Sequence, residues 1–348
     1  MTLFSFHGTG GYISTACTIR PRLKVPANSW AENLFINPTT KLKEILEMRK
    51  YLIGATLILC HAAFAQTTIQ QSGFSPLFVG VDYETATIQA GPSSSPTVSR
   101  AYVTRVDLKA PGISFITTPR DASFGAPQPG GLSTMSETIS QFAAEHRVRI
   151  AINANFFAPC CDSFAEPKEV IGLLVSQGKI VALPTTDPLQ SEAVLAITRD
   201  NDAVIDQSPN IDLKTTWTAV AGSAIIVQNG VDISASSPDE GDPADPNPRT
   251  VVGLSPDHRF LYLVIIDGRV SGYSIGTTNG QSAAFMLALG CESALNLDGG
   301  GSSEMVRADK PGEPYILNNP SGGAERFDAA ALGVYALPLR DSFGSTAP

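Results

Sequence analysis

The sequence is poor in the residues that most often build catalytic triads and zinc centres. It has four histidines and five cysteines in 348 residues. After Ala65 only His146 and His258 remain; a helical pattern surrounds the first and a turn pattern the second. A Ser-His-Asp triad is therefore not expected. Because no Cys-x-x-Cys or Cys/His spacing is present, we expect neither a metal nor another cofactor.

Positive charge is also scarce. The chain has 24 Lys and Arg against 33 Asp and Glu, which gives a formal net charge of −9. Such an acidic protein is not expected to bind nucleic acid or an anionic membrane surface in a general way. A local basic pocket remains compatible with this balance.

A segment near the N-terminus has all three parts of a secretory signal peptide. From Met48 the chain reads MRKYLIGATLILCHAAFAQTT, with Arg49 and Lys50 before an apolar run and an Ala-x-Ala cleavage site at its end. The apolar run is too short for an ordinary transmembrane helix; a buried core helix is the alternative. We predict a signal peptide over 48–65 and an exported protein, periplasmic or secreted, without a stable membrane anchor after cleavage.

The signal peptide divides the chain. Residues 1–47 have no sustained periodicity, and we interpret them as a spurious extension; a natural cytoplasmic tail is the alternative. Residues 66–76 are predicted to be a polar lead-in. Residues 77–340 are predicted to form one domain.

Three cysteines follow the predicted cleavage site. Export permits disulfides, and an odd number leaves one thiol without an internal partner. We expect a bridge from Cys291 to either Cys160 or Cys161, and the sequence does not choose between them.

Strand patterns outnumber helical patterns in this domain. Alternating or continuous apolar residues predict strands within 100–108, 149–157, 172–183, 219–230, 260–266 and 293–298. Helical spacing predicts one helix within 136–148. A second helix begins at the Thr278/Gln281 capping-box pattern and can end at Gly290. The sequence thus predicts the α+β class: a single domain with a mixed, mostly β core and about two main helices.

Polar side chains follow three of the predicted strands. Asn153 and Asn155 share one face of the first, Asp267 ends the second, and Asn296 and Asp298 share one face of the third. Each end alone fits a solvated strand terminus. Together they predict that polar groups converge at one edge of the sheet, where sheets of α/β type commonly bind ligands.

Asp298 opens a run of small residues. It is followed by three glycines and two serines: Gly299, Gly300, Gly301, Ser302 and Ser303. Backbone N–H groups in such a run can form an anion-binding nest, and the hydroxyls add donors. Asp298 suits an anion site only if a cation or a reacting carbon lies nearby. The run does not end in Gly-Lys-Ser/Thr and is not a P-loop; a purely structural glycine turn is the alternative.

The residues of this region resemble a known family. The matching segments are AINANFF, GLLVSQGKIV, AVAGSAIIVQNG, NPRTVVGLS, LVIIDGR, ALNLDGGGSSEMV and NNPSGGAERFDAAALGV, in family order within 150–335. On these motifs the chain resembles the phosphodiester glycosidase family, and LDGGGSS is the most diagnostic of them. Its closing segment reads ERFD where the family often has ERPV, and the adjacent pair Cys160-Cys161 also departs from the usual motif.

The resemblance implies cleavage of the bond between a sugar anomeric carbon and a phosphodiester oxygen. It implies phosphate contacts from Arg249, Arg269 and Arg326, since arginine forks suit phosphate oxygens. Surface or stabilising ion pairs are the alternative for these arginines.

Asp298 is the expected catalytic carboxylate at the anomeric carbon, and Glu325 and Asp267 are candidates to assist it. Glu325 can instead orient Arg326 through a salt bridge. The glycine run, Ser302, Ser303, Asn153 and Asn155 are expected to bind substrate.

The expected partner is a phosphorylated glycan or another sugar-1-phosphodiester, including exopolysaccharide. A second function class stays open, because a resemblance does not prove turnover. The same residues could form a non-catalytic module that binds anionic envelope glycans.

Overall fold

The computed structural model describes residues 67–91, 97–161, 163–185, 192–236 and 245–339. These ranges all belong to one compact unit, Ala63–Pro348. The predicted extension at 1–47 and the predicted signal peptide at 48–65 lie outside the described residues. Neither of the two α-helices in these ranges has the length and apolar character needed to cross a membrane.

The described chain consists mainly of strands. In chain order they are β1 Thr68–Gln71, β2 Ser75–Phe78, β3 Val81–Ala90, β4 Thr97–Asp107, β5 Ser114–Thr117, β6 Thr134–Met135, β7 Ile150–Asn153, β8 Phe157–Ala158, β9 Pro167–Val170, β10 Leu174–Ser176 and β11 Lys179–Ala182. They continue with β12 Ala193–Thr198, β13 Ala203–Gln207, β14 Thr216–Gly222, β15 Ala224–Gln228, β16 Val231–Asp232, β17 Arg249–Leu254, β18 Phe260–Ile266, β19 Ser293–Asn296, β20 Met305–Arg307, β21 Tyr315–Ile316 and β22 Ala331–Tyr335. The helices are α1 Ile139–His146 and α2 Asn279–Ala288.

The strands form three large sheets and one small one. The nine-stranded sheet has the order β1-β3-β4-β18-β17-β19-β15-β16, with β2 paired to β3. One five-stranded sheet has the order β11-β10-β14-β12-β13, and the other has the order β21-β20-β7-β22-β5. The small sheet is β6-β9-β8. The predicted α+β class, with a mostly β core and two main helices, is confirmed.

The described strand pairings are all antiparallel, including those of β17 with β18 and β7 with β22. The strand directions are therefore less mixed than the sequence suggests. The physical reason is that short turns join many consecutive strands, and only antiparallel strands can be joined that way. The turn at Gln177-Gly178, as predicted, joins β10 to β11, and Asn229-Gly230 joins β15 to β16. In both turns the two residues have positive φ, as a type I′ hairpin turn requires.

The main core lies where the inner faces of the three large sheets meet. One cluster contains Ile152 of β7, Leu195 of β12 and Leu263 of β18, each almost fully buried. Burial of one such side chain contributes about 1.5–3 kcal/mol. Helix α2 covers the other face of the nine-stranded sheet with Phe285, and α1 packs on the β7 sheet with Phe142.

Both helices begin with a complete capping box. In α2 the Thr278 hydroxyl accepts the Gln281 N–H at 3.1 Å, and the Gln281 side chain accepts the Thr278 N–H at 3.0 Å. In α1 Thr138 and Gln141 do the same. The capping box of α2 was predicted from the sequence and is confirmed.

We expect Thr278→Ala to lower the free energy of unfolding by about 1 kcal/mol, because the N–H of Gln281 loses its acceptor at the start of α2. Thr278→Ser is the matched control, since it keeps the hydroxyl. Chemical denaturation monitored by circular dichroism measures the difference. Equal stability of the alanine and serine variants would contradict the capping role.

Candidate active site

A polar pocket of about 300 Å³ opens where the loop after β19 meets the loop before β17. A pocket of this size is at the lower end for small-molecule sites. Its lining residues are Phe156, Cys161, Asn247, Pro248, Arg249, Arg269, Asn296, Asp298, Gly299, Gly300, Gly301 and Arg326. Seven of them are predicted site residues: the carboxylate, the three glycines and the three arginines.

Asp298 is fixed at the pocket by its backbone. Its N–H donates to the carbonyl of Ala154 at 3.0 Å, and its carbonyl accepts the Asn153 side-chain amide at 2.7 Å. The strand ends of β19 and β7, which belong to different sheets, are thereby joined. The convergence of polar groups predicted from the sequence occurs here, between two sheets.

Asn153 and Asn155 were predicted to bind substrate, but neither lines the pocket. The Asn153 side-chain oxygen accepts the hydroxyl of Thr250 at 2.7 Å and the N–H of Glu304 at 3.2 Å. The Asn155 amide donates to two backbone carbonyls, and its oxygen accepts the N–H of Ala221. Both side chains hold the walls in place, because their hydrogen-bonding groups already have protein partners.

The three glycines form one tight turn. The N–H of Gly300, at φ 64°, donates to the carbonyl of Pro248 at 2.9 Å. The N–H groups of Ser302 and Ser303 donate to Gly299 and Gly300. These three N–H groups already have backbone acceptors, two within the turn and one in Pro248, so the predicted anion nest is smaller than the sequence indicates.

Each glycine of the turn lies against one of the loops that bear the arginines. A Cβ on Gly301 would overlap the guanidinium of Arg326, and one on Gly300 would lie 3.2 Å from Nη1 of Arg269. Gly299 lies against the backbone of Pro248 and Arg249. The glycines are therefore needed for the close approach of positive groups to the backbone.

Each of the three arginines has a neutral acceptor among its hydrogen-bond partners. Arg249, which is buried, donates from Nε to the carbonyl of Thr277 at 3.0 Å. Arg269 donates from Nη2 to Oδ1 of Asn247 at 2.9 Å. All three guanidinium-bearing residues belong to the pocket lining.

The two serines lie beneath the pocket and do not line it. Ser302 Oγ accepts Nη1 of Arg326 at 3.3 Å, and Ser303 Oγ lies 3.3 Å from Oγ1 of Thr250. Both serines are buried. Their predicted role as direct substrate donors is replaced by a supporting one, because the side chains point into the protein.

Asp267 was predicted to assist catalysis, but it lies outside this pocket. The carboxylate is 1% exposed and accepts the Asn318 amide at 2.9 Å, the Asn319 N–H at 3.1 Å and the Tyr273 hydroxyl at 3.2 Å. Burial raises the pKa of Asp267, against the lowering effect of these hydrogen bonds. Its role is to anchor the 318–319 loop. Ser274, within a G-x-S-x-G pattern, is likewise buried and donates to the Asp267 carbonyl.

Glu325 also lies away from the lining. Its Oε1 accepts the N–H of Ser140 at 3.0 Å in the first turn of α1, where a negative charge is favoured. Among the described residues Glu325 makes this contact and no salt bridge to Arg326; its assisting role stays a prediction. Burial acts to raise the pKa of Glu325, but hydrogen bonds from Glu304, Ser140 and Thr138 outweigh it and lower the pKa.

Two further carboxyl groups were not predicted as site residues. Glu304 is 2% exposed and Asp328 is 3% exposed. Burial, with added hydrogen-bonding and charge effects of Glu325, raises the pKa of Glu304 to about 10. Burial and the nearby Asp298 raise the pKa of Asp328 well above its usual value. Glu304, Glu325 and Asp328 form what we call the acid cluster, which lies behind the pocket.

Three uncharged lining residues were also missed as site residues. Asn296 is 1% exposed; its amide donates to Oγ of Ser223 at 3.0 Å, whereas its Oδ1 has no protein partner among the described residues. Phe156 and Cys161 also line the pocket. The shared face of Asn296 and Asp298 was the sequence signal that could have identified Asn296.

The cysteine prediction was wrong. The structure joins Cys160 to Cys161 in a disulfide and leaves Cys291 as a buried free thiol. Cys291 follows α2 and packs among apolar side chains on the outer face of the nine-stranded sheet, out of reach of the pocket wall. Burial raises the pKa of its thiol.

Metal binding was not expected from the sequence. Within the ranges that the structure describes, no group of three or more His, Cys, Asp and Glu side chains is placed to hold a metal ion.

The fold and the pocket define a β-rich domain in which three arginines and a glycine turn line a pocket beside a carboxylate. A family model described as phosphodiester glycosidase matches residues 146–335, more than half of the chain. The chain therefore belongs to the phosphodiester glycosidase family, and the resemblance inferred from its motifs is confirmed. A comparison with curated proteins gives no match.

Solved structures share this fold at low sequence identity. The catalytic domain of zebrafish N-acetylglucosamine-1-phosphodiester alpha-N-acetylglucosaminidase, auto-inhibited by its pro-peptide, matches with a TM-score of 0.53 and 18% identity over 81% of this chain and 91% of that one. A hypothetical protein from Synechocystis matches with a TM-score of 0.51 and 14% identity over 78% and 68% of the two chains. At these identities the likeness shows the fold alone.

We predict that Glu304→Gln raises the melting temperature at neutral and alkaline pH. The folded pKa of Glu304, about 10, lies above its ordinary value of 4.5. The stability linked to its proton is therefore complete below pH 4.5 and is lost progressively as pH rises toward the folded pKa. The glutamine side chain donates to Glu325 without needing to take up a proton. The melting temperature of Glu304→Gln should therefore exceed that of the parent protein by more as the pH rises.

The exposed Glu313 provides the control, because Glu313→Gln removes a carboxylate without touching the acid cluster. Thermal unfolding across the pH range measures both variants. If Glu304→Gln melts below the parent protein at alkaline pH, the carboxyl group at Glu304 is ionised in the folded state and the prediction is wrong.

Proposed function

We propose that this chain is a hydrolase that cleaves the sugar C1–O bond of sugar-1-phosphodiesters in glycans or exopolysaccharide. One observation carries the proposal: three arginines and a glycine turn surround a pocket in which Asp298 is the one carboxylate among the described lining residues. Family membership supports a reaction of this general kind. The chain as a whole is acidic, with 24 Lys and Arg against 33 Asp and Glu. Three arginines at one pocket therefore differ from the charge of the rest of the protein.

The arginine side of the pocket suits a phosphodiester. Guanidinium groups donate in a fork that matches two phosphate oxygens, and Arg269 and Arg326 lie against neighbouring glycines of one turn. A diester bears one negative charge, which two or three partly buried guanidinium groups bind more strongly than exposed ones would. This end of the pocket therefore fixes the phosphate and leaves the sugar toward Asp298.

Asp298 then acts at the anomeric carbon. A carboxylate there attacks the carbon, activates a water molecule or stabilises the positive charge that develops on the ring. A phosphate monoester leaves readily, and Arg326 and its neighbours stabilise the negative charge on the departing oxygen. The need for a second acid is small, which agrees with the positions of Glu325 and Asp267 outside the pocket lining.

The remaining wall suits the sugar. Oδ1 of Asn296 is a buried acceptor without a protein partner among the described residues, so a sugar hydroxyl can donate to it. Phe156 adds an apolar surface to the same lining, on which the ring of a sugar can pack.

The predicted signal peptide at 48–65 supports action outside the cytoplasm, in the periplasm or as a secreted protein. Phosphorylated envelope glycans and exopolysaccharide are the substrates within reach there.

A binding module for anionic envelope glycans is the second candidate. It is favoured by the presence of one carboxylate, where many glycosidases use two. The deciding experiment incubates purified residues 66–348 with α- and β-linked sugar-1-phosphodiesters and identifies the products by mass spectrometry. Free reducing sugar supports the enzyme, whereas a rise in melting temperature without product supports the binder.

For the enzyme, we expect Asp298→Asn to lower kcat by about a hundredfold, or roughly 3 kcal/mol, with little change in KM. Asparagine keeps the size and hydrogen bonding of the side chain but removes the charge that the transition state needs.

Arg326→Lys should instead raise KM, because lysine keeps the charge but loses the fork.

Steady-state kinetics and melting temperature are measured for both variants. Asp202→Asn is the control, since Asp202 pairs with Lys109 on the surface away from the pocket. Near-native turnover by Asp298→Asn would show that Asp298 is not the catalytic carboxylate.

A further inference from the structure

Asp328 is a buried acid directly behind the arginine side of the pocket. It follows Arg326 by two residues, and its backbone forms a two-way bridge with Glu137, with N–H···O distances of 2.9 and 3.0 Å. It is almost fully buried, and its Oδ1 has no partner among the described residues. Such a group needs either a counter-charge or a proton.

The surroundings of Asp328 are rich in acids. The charged and titratable groups near it are Asp298 after β19, Glu304 before β20, Glu137 before α1, and Glu325 and Arg326 on its own segment. Four carboxyl groups thus accompany one guanidinium. Asp328 and Glu304 are buried and the other three carboxyl groups partly buried, so ionising all of them together is unfavourable, because like charges repel strongly away from water.

Ser302 connects Asp328 to the pocket. Its Oγ accepts Nη1 of Arg326 at 3.3 Å, which leaves its own proton for the hydrogen bond with Asp328. Arg326 in turn lies flat against Gly301, at the surface of the pocket. The Ser302 hydroxyl therefore connects the Asp328 carboxyl to the guanidinium of Arg326, and a change of charge on Asp328 acts on Arg326 through it.

We propose that Asp328 is a positioning residue for Arg326: as a neutral acid it holds Ser302 under the guanidinium and leaves the positive charge to the phosphate. The inference rests on the proposed function only in taking a phosphodiester as the ligand of the pocket. Asp328 itself is not a lining residue and does not touch the substrate.

The neutral state matters because an ionised Asp328 would compete with the substrate. It would attract Arg326 and place a second negative charge close to an incoming phosphate. Burial, aided by Asp298, favours the protonated acid, while Ser302 and Arg326 act in the opposite direction. In alkali Asp328 loses its proton, and phosphate binding weakens.

The test uses Asp328→Asn, which reproduces the neutral acid at nearly the same size. The probe is dimethyl phosphate, which keeps a single negative charge from acid to alkaline pH. Its binding to residues 66–348 is measured by calorimetry at neutral and alkaline pH. The control is Glu137→Gln, which removes a half-buried carboxyl, of pKa about 7 through burial and Glu145, without changing a group that contacts Ser302 or Arg326.

At neutral pH the parent protein and Asp328→Asn should bind the probe equally. At alkaline pH the parent should bind about tenfold more weakly than Asp328→Asn, the equivalent of about 1.4 kcal/mol. Glu137→Gln should keep the pH dependence of the parent. Weaker binding by Asp328→Asn at neutral pH, or no divergence in alkali, would overturn the proposal.

Two measurements keep the result decisive. If Asp328→Asn does not fold, carbon-13 NMR of labelled aspartate carboxyls in the parent protein reports the protonation of Asp328 directly. An ionised Asp328 at neutral pH then overturns the proposal, and a protonated one supports it. Because probe binding needs no turnover, a protein that binds dimethyl phosphate as described but cleaves no sugar-1-phosphodiester refutes the proposed enzyme and leaves this inference standing.

Discussion

The geometry of the pocket depends on one buried amide. Asn153, at the end of β7, donates to the carbonyl of Asp298 and accepts from Thr250 and from the N–H of Glu304. Its side chain therefore links the sheet that contains β7 to the nine-stranded sheet that contains β17 and β19. The glycine turn begins immediately after this link. Without it, the hydrogen bond from the Asp298 N–H to Ala154 and the shared core would be left to hold the two sheets together at the pocket.

Local features of the structure could be predicted because their causes are local. The strand at 260–266, the turn at Gln177-Gly178 and the capping box of α2 each follow from a few adjacent residues. The lining by Asp298 and the three glycines could be predicted too, since a small-residue turn at a strand end must lie where the backbone is approached closely. These are the parts of the site that sequence spacing specifies.

Other parts could not be predicted, because a side chain's partners come from distant segments. Asp267 and Glu325 look like pocket acids in the sequence, yet the 318–319 loop and the start of α1 occupy them. Glu304 has the polarity of a surface residue, and only the packing of three sheets shows that it is buried. The bridge to Cys291 was predicted only from export and the odd number of cysteines, and neither shows which thiols meet in the fold.

The Cys160–Cys161 bond differs from most disulfides in what it can do for the protein. It closes a ring of only two adjacent residues, so it removes less conformational freedom from the unfolded chain than a bridge between distant residues would. The thermodynamic stability of the fold accordingly depends less on oxidation than it would with such a long-range bridge. The wall of the pocket depends on oxidation more directly, because Cys161 lines the pocket and Cys160 lies beside Arg326. A preparation made in a reducing compartment could be fully folded and still present an altered entrance to its ligand.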